Sequence, residues 1–248
     1  MSKRSFFIHL APVVAIFVAQ VHLSGPALAK ETTGVIKVTQ KTHEGQQTLC
    51  GTLLVEAQDG SLLLEDSQQV LHVIPGERVT HRQFLDETQE LTPKELGQQI
   101  VAELPDGFTF LTTRHYLICY DTSPGYARWS AALLERLFGG FHAFWSQTGL
   151  QVSQPERPLI VIIFSDRKDY ERAAKSVVGE ASDSIVGYYN QLTNRITTYD
   201  ITGSDSTNTK ASKSSHSVGA KILKNTRASS LVATLVHEAT HQLAFNAG

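Results

Sequence analysis

The sequence predicts an α+β fold, on three observations. Short stretches that alternate apolar and polar residues fill positions 34–82. The run PLIVIIFSD at 158–166 is almost unbroken in its apolar part, the mark of a strand buried on both faces. Apolar residues recur at helical spacing in 125–149, and again from Arg227 to Asn246. The organisation implied is a leader (1–29), a small β-rich module (30–88), a helix and linker (89–109), and a mixed sheet with an edge hairpin packed on helices (110–248).

The leader has Lys3 and Arg4, an apolar run from Phe6 to Val21, a Gly25-Pro26 break and then Ala27-Leu28-Ala29. These are the three parts of a secretory signal, so cleavage after Ala29 and export to a periplasmic or extracellular space are expected. An uncleaved anchor is the alternative, but the apolar run is short for a spanning helix, and no stable membrane insertion is expected after cleavage. Removing the leader takes away Lys3 and Arg4 and no acid, which moves the formal net charge from −2 to −4. No basic surplus remains to suit nucleic acid. The hydrophobic fraction of 41% and charged fraction of 19% are ordinary for a globular protein. Cys50 and Cys119 both survive cleavage, and an oxidising exterior would permit a disulfide without requiring one.

In the β-rich module GVIKVTQ and GTLLVEAQDGSLLLED supply alternating strands, with Asp59-Gly60 as a hairpin turn. QQVLHVIPGERV continues the pattern until Pro75-Gly76, and about five strands are expected. His43, His72 and His81 fall in or beside these strands, where surface or packing roles are expected. Thr92-Pro93-Lys94-Glu95 is a capping box with proline at the first helical position, opening a helix to about Glu103.

HYLICYD (115–121) reads as a strand, and Ser123-Pro124 opens a long helix. Leu133, Leu134, Leu137, Phe138, Phe141, Phe144 and Trp145 form its apolar face. Gly139-Gly140 in its middle costs about 1 kcal/mol per glycine against alanine, and close packing against a sheet is the expected compensation. SDRKDYERAAKS reads as a helix with a polar N-cap. SIVGYYN and NRITTYD form a hairpin around Gln191-Leu192-Thr193, and the polar stretch 201–219 reads as a mobile loop.

The last helix carries LVHEATH (235–241), an H-E-x-x-H pattern. Histidines at i and i+4 share a helix face with Cβ atoms about 5–6 Å apart. Two imidazole nitrogens at that spacing reach one Zn²⁺ at about 2.0–2.1 Å each. Glu238 is turned roughly 100° from His237, free to take a proton from water activated by the ion. With 10 histidines in 248 residues, chance supplies roughly 0.02 such patterns per chain. The helical wheel puts Leu231, Val232, Leu235, Val236, Ala239, Leu243 and Phe245 on one arc and the two histidines nearly opposite.

RPLIVIIFSDRKDYERAA, VGYYNQLTNRITTYD and LVHEATHQLAFNAG together resemble the bacterial secreted peptidase-MA-like family, of gluzincin type, over about residues 110–248. The resemblance implies a zincin-like lobe, with His237 and His241 as zinc ligands and Glu238 as general base. It further implies that the hairpin at 185–200 forms a sheet edge beside the cleft, where an extended peptide can add as a strand. The chain departs from the family in one respect. A gluzincin takes its third ligand from a glutamate on a later helix, and QLAFNAG offers no His, Glu, Asp or Cys. The metzincin extension would need Gly and His where Ala244 and Ala247 stand. His142, Asp200 and His216 are the upstream substitutes, and a chain cut short after the motif helix is the simpler expectation.

The expected function is that of a secreted zinc metallopeptidase acting on a peptide or protein, this chain lacking the third ligand. Two alternatives stay open: a non-catalytic extracellular binding protein on the same scaffold, and a zinc hydrolase of a non-peptide bond. The oligomeric state is not legible.

Overall fold

A computed structural model describes residues 34–86, 90–179, 185–200, 202, 219 and 228–248. The leader and most of the polar stretch 201–219, His216 included, lie outside the described residues. The fold is α+β, built on two five-stranded sheets.

The first sheet is antiparallel throughout. Its strands are β1 (Gly34–Thr42), β2 (Gly45–Glu56), β3 (Leu62–Glu65), β4 (Leu71–Ile74) and β5 (Val79–Leu85), in the order β4-β3-β2-β1-β5. Alternation puts Ile36 and Val38 on one face, where they pack with Leu53, Leu62, Leu64 and Ile74. Asp59 and Gly60 make the expected turn. The Asp59 carboxylate accepts the Ser61 N–H at 2.9 Å, and Gly60 takes the positive φ of 80°. His72 pairs with Asp66 at 2.8 Å and His81 is exposed.

Helix α1 (Pro93–Glu103) follows, with its capping box formed in both directions. The second sheet holds β6 (Thr109–Thr112), β7 (Tyr116–Tyr120), β8 (Leu159–Phe164), β9 (Gly187–Asn190) and β10 (Arg195–Tyr199). Its order is β6-β7-β8-β10-β9. The three inner strands run parallel and the two edge strands antiparallel to them. All residues of β7 and β8 are buried, as an apolar run without alternation requires. Strand β6 was not foreseen; four residues are too few to show a period, and pairing with β7 fixes it.

Helix α2 (Pro124–Gln147) is capped by Ser123, α3 (Arg167–Val178) by Asp166, and α4 (Ala228–Asn246) carries the motif. Packing does not compensate the α2 glycines. Both Gly139 and Gly140 are exposed, and a Cβ built on either meets no atom within 4 Å among the described residues. Cys50 is exposed on β2 and Cys119 buried on β7, in different sheets, and both are free thiols. Burial pushes the Cys119 thiol up to about 12. No described helix is long and apolar enough to cross a membrane.

The two sheets meet at their turns. Leu71 N–H donates to Leu192 O at 2.6 Å, joining the edge strand β4 to the β9–β10 turn, and Arg157 pairs with Glu65.

Candidate metal centre

Helix α4 lies against α2, β9 and β10. Leu235, Ala239 and Leu243 are buried at the expected spacing, while His237 and His241 are exposed on the far side. Two positions on the wheel need correction. Phe245 is 43% exposed rather than in the core, its ring set edge-on to Tyr189 with centroids 6.1 Å apart. Gln242, a polar residue, is fully buried in its place. Its amide donates to Ile160 O at 3.1 Å and to Asn194 O at 2.8 Å, tying the motif helix to the starts of β8 and β10. The spacing held this signal, since Gln242 follows Ala239 by three positions and Leu235 by seven.

The His237 and His241 Nε2 atoms are 3.0 Å apart, with the rings nearly perpendicular at 86°. Two nitrogens at zinc-bond length in tetrahedral geometry stand about 3.3 Å apart, so the pair fits two corners of such an ion with only a small adjustment. The same distance suits a hydrogen bond between two neutral rings, one donating and one accepting.

Glu238 is half-buried, and its Oε2 accepts the backbone N–H of Tyr189 at 3.0 Å. Tyr189 sits on β9, the outer strand of the hairpin, opposite Ile196. Its N–H points away from β10, toward the helix. The hairpin is therefore a sheet edge beside the motif, and the edge backbone fixes the glutamate. An open cleft of about 580 Å³ runs along this contact, lined by Val177 and Val178 of α3, residues 188–192, Glu238 and His241. Burial raises the hydroxyls of Tyr188 and Tyr189, and the Tyr189 hydroxyl donates to Asn194 Oδ1 at 2.9 Å. Tyr170, fully buried behind the cleft, is raised by burial first and then by Tyr188, Tyr199 and Glu238; its hydroxyl has no hydrogen-bond partner among the described residues.

Of the upstream substitutes, His142 and Asp200 do not complete the pair, and His216 lies outside the described residues. Among the described residues no three His, Cys, Asp or Glu side chains gather in a way that could hold a metal ion. His142 packs on the rings of Phe138 and Phe141, with centroids 4.4 and 5.6 Å away. Asp200 accepts the hydroxyl of Thr122 at 2.5 Å and the N–H of Thr202 at 2.8 Å. Two imidazoles and one carboxylate therefore stand together on the cleft side of α4, with no third His, Cys, Asp or Glu beside them among the described residues.

Compared with protein-family models, with curated proteins and with solved structures, the chain matches none.

Proposed function

We propose that the chain acts as a secreted, zinc-dependent metallopeptidase of gluzincin type. In this reading His237 and His241 hold the metal and Glu238 is the general base. The contact that carries the reading is Tyr189 N–H to Glu238, which turns the carboxylate toward a cleft that it shares with His241. The pattern by itself predicts no sheet edge beside it, and such an edge is one place where an extended peptide can lie.

Zinc, when bound, polarises a carbonyl and acidifies water. The chain's own residues do the rest. Glu238 takes a proton from the attacking water as its oxygen bonds to the carbonyl carbon, then gives that proton to the leaving amine. Tyr189 N–H keeps the carboxylate in one orientation through both transfers. The cleft walls contributed by Val177, Val178 and Leu192 are apolar and favour a substrate side chain that sheds water. The substrate is a peptide or protein segment, met after export.

Metal binding tests the reading. Titrated with zinc, the mature protein should bind the ion, weakly for a pair without a third protein ligand, and more tightly than His237→Ala or His241→Ala. Equal binding by all three would remove the site. The absence of a three-donor group among the described residues favours one second reading, an extracellular binding protein that keeps the lobe as a scaffold.

A further inference from the structure

Among the described residues only two that are not glycine have positive φ, Gln69 at 67° and Asn194 at 52°, and both are almost fully buried. They face each other across the join between the sheets. Each is forced into its conformation locally. Asp66 Oδ1 accepts the N–H groups of Gln68 and Val70 at 2.8 and 2.9 Å, which closes the β3–β4 turn around Gln69. Asn190 Oδ1 accepts those of Leu192 and Thr193 at 2.9 and 3.3 Å, which closes the β9–β10 turn before Asn194. Backbone strain held inside two adjoining turns needs surroundings that fix it.

The surroundings are a single polar network. Asn194 exchanges a reciprocal amide pair with Asn246 of α4, at 2.9 Å each way. Its Oδ1 also accepts the Tyr189 hydroxyl at 2.9 Å, and its Nδ2 also donates to Gln69 Oε1 at 3.4 Å. Both donors and both lone pairs of the Asn194 amide are thereby used. Gln69 Nε2 donates in turn to Pro158 O at 3.1 Å, just ahead of β8. One side chain of the first sheet is therefore bonded to the residue that joins the edge strand to the motif helix.

We propose that Gln69 is a positioning residue for the cleft: the N-terminal sheet uses its amide to lock Asn194, and through Asn194 fixes the edge strand whose Tyr189 N–H orients Glu238. The N-terminal module is then a working part of the site rather than an appended domain. Its consequence for turnover rests on the proposed peptidase reading; its claim about strand β9 does not.

Hydrogen exchange on the whole protein tests it. Gln69→Gly accepts the positive φ without strain and removes the amide together with its methylenes, and Asn194→Gly removes the amide at the other end. Both should speed exchange in 187–199 by about tenfold, while 116–120 and 159–164 keep their protection. Acceleration by Asn194→Gly but not by Gln69→Gly would overturn the proposal, because the N-terminal sheet would then add nothing. Equal acceleration throughout the second sheet would overturn it too, since that is general destabilisation. If the protein hydrolyses peptides, Gln69→Gly should also lower kcat/KM several-fold without weakening zinc binding. The expected exchange pattern in a protein that hydrolyses nothing would remove the peptidase reading and leave the brace standing.

Discussion

Replacing Glu238 separates its two jobs. The carboxylate accepts the Tyr189 N–H at 3.0 Å from a half-buried position, and in the proposed reaction it also moves a proton. Glutamine is nearly the same shape and keeps an oxygen for the N–H, but it has no basic lone pair to offer water. The hydrogen bond passes from charge-assisted to neutral, a loss of about 1 kcal/mol. Alanine removes the acceptor altogether and leaves the edge N–H short of a partner, at about 1–3 kcal/mol. For a chain of this size each kcal/mol is worth about 2–4 °C in Tm. Glu238→Gln should therefore melt a few degrees below the wild type and Glu238→Ala lower still. Both should bind zinc as the wild type does. Both should lose turnover by at least about 10²-fold, the scale of a positioned general base. The assays are thermal unfolding by circular dichroism, titration with zinc, and cleavage of a quenched peptide library. A Gln variant that still cleaves at the wild-type rate would refute the base assignment. Identical melting of the Gln and Ala variants would refute the structural half.

Three further outcomes follow from the same structure. Gly139→Ala and Gly140→Ala should each stabilise the protein by about 0.5–1 kcal/mol in urea titrations, because the added methyl meets no neighbour among the described residues and the helix loses its most flexible pair; destabilisation by either would mean that this face is covered. A thiol reagent should label Cys50 in the folded protein and reach Cys119 only on unfolding, since the one is exposed and the other buried with its proton held up to about 12. Burial works to raise the Glu135 carboxyl, but hydrogen bonds from the Thr113 hydroxyl and from His115 outweigh it and hold it below its usual 4.5. Its contribution to stability is thus full above that pH and lost as the pH falls through the lowered value. The urea midpoint of Glu135→Gln should then change less than that of the wild type between about pH 6 and about pH 3.

Local chemistry was legible in the sequence wherever a short segment decides its own conformation. The Thr92 capping box, the Asp59-Gly60 turn and the unbroken run of β8 each carry their cause within a few residues, and each stands where expected. The edge hairpin and the exposed histidine pair were legible for the same reason. What the sequence hid depends on a partner far along the chain. Strand β6 exists because β7 pairs with it. Spacing alone puts Gln242 in the helix's buried stripe and Phe245 outside it; what hid this was the polarity of Gln242, whose amide is satisfied by the carbonyls of Ile160 and Asn194 far along the chain. The Tyr189 backbone N–H carries no side-chain signature at all, yet it fixes the glutamate. The Gln69–Asn194 contact spans 125 positions, and no local pattern announces it.

The occupied edge of β9 also bears on how the protein survives at high concentration. An outer strand exposes backbone donors and acceptors on which a second chain can dock, and this is how folded proteins begin to aggregate. Here the outward N–H of Tyr189 is held by Glu238, and the outer strand of the other sheet is tied down at Leu71 by Leu192. The residue proposed to do the chemistry thus also fills one donor to which a neighbouring molecule could pair, and a variant that loses it should be watched for turbidity as closely as for activity.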